Sequence, residues 1–145
     1  MNEAYKIIEN LEAFNEFKSL LKSSSLPSDD LDYKRDFLVG YYEDGTLVGT
    51  GGLEVYGNYA LLRSLSVKLG IRGKSVGTTM TDFLLEKARS ANIKAVYLLT
   101  ETARGFFLRK QFADIDRGDV PDEVKRSSEF RTVCPASAIA MVRYL

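Results

Sequence analysis

The 145-residue sequence predicts one α+β domain over residues 1–145, with a mixed central sheet, an antiparallel N-terminal meander and helices on both faces. Three observations predict it. Apolar residues make up 45% and charged residues 28% of the chain, an ordinary globular composition at a length that buries its own core. The β-rich stretch "FLVGYYEDGTLVGTGGLEVYGNYALLRSLSV" is broken only by Asp44-Gly45 and Gly57-Asn58, both hairpin-turn dipeptides. Beyond it, segments of helical spacing alternate with apolar β-rich runs.

Each element follows in order. "EAYKIIE" reads as a first strand, and Leu11, Phe14, Phe17 and Leu21 recur at helical spacing behind Asn10, a candidate N-cap. "KSSSLPSDDLD" is polar and carries a proline, so it reads as a loop or an irregular helix. The three-stranded meander comes next. Val76, Met80, Phe83, Leu84, Lys87, Ala88 and Ala91 then fall near one helical face, with Asn92 as the stop. "KAVYLLT" has the continuous apolar character of a strand buried inside a sheet. A short helix over Thr102–Lys110 and the strand "FADIDR" follow. Asp119 is placed to cap a helix opened by Pro121 and running through "DEVKRSSEF", and "SAIAMVRYL" closes the chain as a strand.

Composition excludes several kinds of chemistry. Lys+Arg and Asp+Glu balance at 20 each, so no overall field favours nucleic acid or an anionic membrane. No apolar run has the length of a membrane span, and "MNEAYKIIEN" has no signal-peptide core. The single cysteine, Cys134, fits a reducing compartment, and the expected location is cytoplasmic. The chain has no histidine, which removes Ser-His-Asp and Cys-His machinery; no metal site is expected. Proton transfer must then use Glu, Asp, Tyr, Lys, Cys or water.

The stretch "SVKLGIRGKSVGTTM" (Ser66–Met80) places glycines and basic residues between a strand and a helix. It is not a P-loop, because Lys68 stands where the first glycine is required, and no Gly-x-Gly-x-x-Gly follows a strand. What remains is a basic turn opening a helix. One reading is a cradle for a pyrophosphate, held by converging backbone N–H groups with Arg72 and Lys74 adding charge. The other is a solvated loop whose glycines only turn the chain.

"LSVKLGIRGKSVGTTMTDFLLEKA" (Leu65–Ala88) resembles the acetyl-CoA motif of the GNAT acetyltransferases, Gln/Arg-x-x-Gly-x-Gly/Ala. Arg72 and Gly77 match its ends, and Ser75 replaces its inner glycine. "TETARGFFLRKQFADID" (Thr100–Asp116) is similar to the family's second cofactor motif, Ala-x-x-Phe-Tyr-x-x-x-Gly-Phe. Ala103, Phe106 and Phe112 match it; Phe107 takes the tyrosine's place and Gln111 the glycine's. The order of elements agrees with that fold over nearly the whole chain. The tail "DVPDEVKRSSEFRTVCPASAIAMV" resembles amino-acid acetyltransferases of the N-acetylglutamate synthase type. "GLEVYGNYALLRSLSV" with "SSEFRTVCPASA" is similar to small GNAT proteins associated with arsenic resistance.

The resemblance implies an acetyl-CoA-dependent N-acetyltransferase acting by direct transfer on the amine of a small amino-acid-like compound, with a homodimer among the expectations. Protein or peptide amine acetylation and a non-catalytic acyl-CoA-binding module are the alternatives. It implies cofactor contacts from Leu65, Ser66 and Val67 on a splayed strand, from Arg72, Gly73, Lys74, Ser75, Val76, Gly77 and Thr78 in the loop, and from Thr102, Phe106 and Phe107. Ser75 is expected to tolerate the glycine position at a negative φ. A base is needed to take the amine's proton, and Glu54 is the first candidate, Glu101 the second. Phe107 has no proton for the departing thiolate; Tyr59, Tyr97, Cys134 or solvent must serve instead. Arg63 sits mid-strand between Leu61 and Leu65, an odd place for a charge. It reads as a fork for a substrate carboxylate or phosphonate, with Arg131 a second such candidate, or else as an arginine at a solvent edge or dimer interface.

Overall fold

The computed structural model describes residues 3–68, 70, 75–133 and 137–145. Its frame is a seven-stranded mixed sheet. The strands are β1 (Glu3–Ile7), β2 (Phe37–Glu43), β3 (Thr46–Tyr56), β4 (Tyr59–Val67), β5 (Ala95–Thr100), β6 (Ala113–Asp114) and β7 (Ile139–Tyr144). Their spatial order is β1-β2-β3-β4-β5-β7-β6, with β4 and β5 the parallel pair and the remaining neighbours antiparallel. The helices are α1 (Leu11–Ser23), α2 (Val76–Ser90), α3 (Arg104–Arg109) and α4 (Asp122–Lys125).

The first hairpin turns as its sequence requires: Asp44 and Gly45 both take positive φ, matching the twist of the flanking strands. Asn10 caps α1, its side-chain oxygen accepting from the Ala13 N–H at 2.9 Å. Helices α1, α2 and α3 end alike. In each, a left-handed residue (Ser25, Asn92 or Gln111) follows the cap, and the next N–H returns to a carbonyl five residues back. At α3 the apolar contact typical of such an ending is Phe112 on Phe107, with ring centroids 5.5 Å apart.

One face of the sheet packs α2 and Phe107 of α3 against Leu53, Leu62, Val96, Leu98 and Met141. The other carries two separate apolar clusters. Phe14, Phe17 and Leu21 of α1 cover Ile8 and Leu38, while Val120 and Val124 cover Leu61, Tyr97 and Val142. The buried stripe of α2 is rotated from the expected one. Thr81 and Leu85 are buried, whereas Lys87 and Ala91 are exposed, because the sheet meets the helix on the Met80–Leu84–Ala88 side.

Two other expectations are corrected in the C-terminal third. "DEVKRSSEF" is not one helix but the single turn α4 followed by a π-helical turn over Glu129–Val133. Asp119 does not cap it; Asp119 ends a 3₁₀ turn, and Pro121 occupies the cap position without a side-chain bond. A break between the turns lets Glu129 face the sheet, as described below.

Candidate active site

The meander ends in a distortion that creates the site. Gly52 pairs with Arg63 and Thr50 with Ser66, so Ser64 and Leu65 together face Gly51: a β-bulge in β4, with Ser64 at φ 64°. The Thr50 hydroxyl donates to the Ser64 carbonyl at 2.7 Å, fixing the kink. Gly51 lies opposite it, where a Cβ would sit 2.7 Å from the Leu84 Cδ1 of α2 and force that side chain to shift. On its other side β4 pairs with β5 only from Tyr59↔Ala95 to Leu61↔Tyr97. From Leu62 to Val67 the two strands diverge, leaving a fork. Leu65 and Val67 are half-buried along it, and Ser66 turns to the opposite face, its hydroxyl 2.5 Å from that of Ser24.

The start of α2 lies at the fork's open end. Thr79 donates to Ser75 in the first intrahelical bond, so the N–H groups of Val76, Gly77 and Thr78 precede the ladder. Ser75 makes no side-chain cap, and no acidic residue occupies the first turn. The positive helix end has the polarity that suits an anion. Phe106 adjoins it: a Cβ at Gly77 would lie 3.6 Å from its ring and 3.8 Å from Val67. Phe107 is buried in the core, edge-on to Phe106 and Phe112, and Thr102 is exposed in the turn before α3. Arg72, Gly73, Lys74 and Cys134 lie outside the described residues.

Ser75 takes φ 62°, so the negative φ on which its ready tolerance depends is not met. Gln111, in the second motif's glycine position, takes φ 69°. Both places demand a left-handed backbone, which explains why glycine suits them and why the side chains present carry strain. Ser75→Gly and Gln111→Gly are each expected to raise unfolding stability by about 1 kcal/mol, read from urea midpoints.

Arg63 anchors the other half of the site. Its guanidinium is fully buried, which overturns the solvent-edge reading. Burial without partners would be prohibitive, and three carboxyl groups from three distant segments converge on it. Asp30, from the connection between α1 and β2, grips both terminal nitrogens, Oδ1 accepting from Nη2 at 2.9 Å and Oδ2 from Nη1. Glu54 of β3 accepts from Nη1 at 2.9 Å, and Glu129 of the π-helical turn lies 3.3 Å from Nε. The Pro27 carbonyl accepts from Nη2 at 3.4 Å. Burial would lower the arginine's basicity, but Asp30, Glu129 and Glu54 together raise it. Burial alone would likewise raise the Asp30 carboxyl, yet the hydrogen bonds and charge of Arg63 hold it below the usual carboxylate range.

Glu54 pairs in register with Leu61, the last β4 residue joined to β5, and so stands one strand from the vertex of the fork. It is buried, and the Tyr56 hydroxyl donates to its Oε1. Burial first, then that bond to Glu54, push the Tyr56 hydroxyl's pKa well up, so it remains a donor that orients the carboxylate. Each Glu54 oxygen retains a lone pair for a further donor.

The other sequence candidates lie elsewhere. Glu101 and Arg131 are exposed, Glu101 in the turn after β5 and Arg131 on the π-helical turn. Tyr59 and Tyr97 pack edge to face at 5.9 Å within the apolar layer, and Tyr97, pushed up to about 12 mainly by burial, is a poor proton donor. Asp30, Tyr56 and Glu129 were not singled out by sequence reasoning. Asp30 and Arg63 are 33 positions apart, and "SDDLD" carries no mark distinguishing one acid from the others.

The profile of the acetyltransferase (GNAT) family matches residues 6–112. The amino-acid acetyltransferase of Mycobacterium tuberculosis (strain ATCC 25618 / H37Rv) is 29% identical over 114 residues, 77% of this chain. That alignment spans 62% of the relative's length. Among solved structures, a GNAT-family acetyltransferase from Staphylococcus aureus Mu50 superposes with a TM-score of 0.76 at 21% identity, covering 98% of this chain and 99% of that one. N-acetylglutamate synthase from Neisseria gonorrhoeae, complexed with coenzyme A and N-acetyl-glutamate, gives 0.82 at 13% identity over 100% of this chain and 35% of its own. These structures share the fold.

Proposed function

Since this chain belongs to the acetyltransferase (GNAT) family, we propose that it transfers an acetyl group from acetyl-CoA directly to the amine of a small amino-acid-like compound. The observation that carries the reading is the Glu54–Tyr56–Arg63 group set beside the β4–β5 fork.

The residues present fit the cofactor. The N–H groups of Val76, Gly77 and Thr78, ahead of the helical ladder, suit its pyrophosphate, and Arg72, Gly73, Lys74 and Ser75 of the same loop belong to that proposed contact. Leu65, Ser66 and Val67 line the fork where the pantetheine arm would run, with Phe106 and Phe107 packed in the same apolar cluster as Leu65 and Val67, and exposed Thr102 is a further proposed contact. Acetyl-CoA supplies an activated thioester. Backbone N–H groups of Leu65 and Val67 would polarise its carbonyl, each donor worth roughly 3 kcal/mol.

Arg63 would take a carboxylate of the acceptor, and Glu54 with Glu129 would face its ammonium. Glu54 removes one ammonium proton, and the freed lone pair attacks the carbonyl carbon while the C–S bond breaks. The thiolate leaves with solvent as its proton source, since Phe107 has none to give. Arg131 and Glu101, both exposed, are secondary candidates for binding and for the base. A cytoplasmic setting, where acetyl-CoA is supplied, and a homodimer complete the proposal.

A thiol-release screen tests it, using amino acids, glutamate analogues, amine drugs and peptides, with calorimetry on acetyl-CoA alongside. Turnover on amino acids is the expected result. Turnover on peptides alone would transfer the activity to protein amines, and binding without turnover would make this an acyl-CoA-binding module. Gly77→Val tests the cofactor site separately. The added Cβ meets only ordinary contacts in the fold, with Phe106 and Val67, but the valine adds bulk to the helix start proposed to receive the cofactor. Acetyl-CoA affinity should fall about tenfold or more, roughly 1.4 kcal/mol, in a protein whose circular dichroism is unchanged.

A further inference from the structure

Arg63 presents a contradiction if it receives a substrate carboxylate: its terminal N–H groups are already taken. Nη1 donates to Asp30 and Glu54, and Nη2 to Asp30 and the Pro27 carbonyl. Nε has no hydrogen-bond partner among the described residues, with Glu129 near it as an ion pair. An acceptor carboxylate can gain the two-point grip only if one of these groups leaves.

We propose that Asp30 occupies the acceptor's carboxylate seat as a built-in stand-in, and that a carboxylate-bearing amine displaces it from Arg63 on binding. The inference rests on the acetyl-transfer reading above. It adds a selection step that admits only amines carrying a carboxylate.

Four observations single out Asp30. Its grip is bidentate, the geometry a free carboxylate adopts on a guanidinium. Glu54 is set within a strand and Glu129 within a helical turn, whereas Asp30 belongs to the irregular connection between α1 and β2. Asp30 is also the partner open to water, its side chain 15% exposed against 5% for Glu54 and 6% for Glu129. Beside it, Pro27, Ser28, Asp29 and Asp30 line a cleft of about 350 Å³, at the small end of ligand-site sizes.

The connection need not open for the exchange. Leu31 is buried against the α1 cluster, Leu26 donates to Leu21, and Asp32 donates to the Asp36 carboxylate. The Asp30 carbonyl itself accepts from Arg35 Nη2 at 3.0 Å. The backbone therefore stays anchored while the Asp30 side chain rotates towards solvent. One carboxylate replaces another on Arg63, so the guanidinium keeps a charge partner throughout the exchange. An amine lacking a carboxylate offers no such replacement and leaves the seat shut.

The test measures binding of L-glutamate, and of n-butylamine as the carboxylate-free control, by calorimetry without acetyl-CoA. Asp30→Ala should tighten L-glutamate binding about three- to tenfold while n-butylamine changes less than twofold. Asp30→Asn should shift it in the same direction by less. Unchanged or weaker L-glutamate binding in folded variants overturns the proposal, as does absence of binding to every protein; Asp30 would then be a strut only. Should neither variant fold, a wild-type crystal soaked with L-glutamate decides: a carboxylate on Arg63 with Asp30 turned away supports the exchange, and Asp30 still in place overturns it. Because no acetyl transfer is involved, seat binding stands apart from the thiol-release screen, and either can fail alone.

Discussion

Glu54→Gln should lower kcat for acetyl transfer by a hundredfold or more, with acetyl-CoA affinity unchanged. Removing a positioned base typically costs 10²–10⁴-fold. The amide is a close isostere here: its oxygen can accept from Arg63 Nη1 and its nitrogen can donate to the Tyr56 oxygen, so both contacts of Glu54 survive. What is lost is the ability to take a proton. Steady-state kinetics on the best acceptor from the screen would give the answer, with thermal unfolding as the control for folding. A loss below about threefold would remove Glu54 from the chemistry and leave solvent as the proton acceptor. Glu101→Gln, at an exposed position outside the cluster, is the comparison variant.

The largest effect on stability is expected at Arg63. Arg63→Met leaves Asp30, Glu54 and Glu129 around a neutral thioether, two of them almost wholly buried. Breaking a buried ion pair from one side costs about 3–5 kcal/mol, a large part of the 5–15 kcal/mol that holds a typical domain folded. Lysine is no remedy, because one ammonium cannot address three carboxyl groups spread around a planar fork. Urea unfolding at neutral pH measures the loss. Arg104→Ala, which removes the exposed Arg104–Asp114 pair, should leave the midpoint unchanged.

The same variant carries a pH signature of definite sign. Asp30 is held below its ordinary value of 3.8 in the folded protein. The Asp30 contribution is therefore complete above pH 3.8 and disappears as the pH falls through the depressed value. The stability gap between wild type and Arg63→Met should narrow below that pH and remain wide above it. A gap independent of pH would mean that Asp30 contributes nothing through its charge.

The sequence by itself determined most of the elements and marked the helix start proposed for the cofactor, because both are written in local spacing. Asp44-Gly45 sets a hairpin, Asn10 and Asn92 bound their helices, and the Arg72–Gly77 motif marks a helix start on a few consecutive residues. Even the irregularities at Ser75 and Gln111 were visible as departures from glycine, although their positive φ was not. Tertiary structure decided the Arg63 cluster, proposed to take the acceptor. Asp30, Glu54, Arg63 and Glu129 come from a loop, two strands and a π-helical turn, and no period of the chain relates them. Arg63 was noticed only because a charge is costly on an apolar strand; which groups relieve that cost depends on how distant segments pack. Arg131 drew attention in "EFRTV", yet the fold exposes it and turns Glu129 inward. Spacing along a strand or helix fixes which residues share a face, whereas the partner of a buried charge is chosen by the chain's return across the sheet.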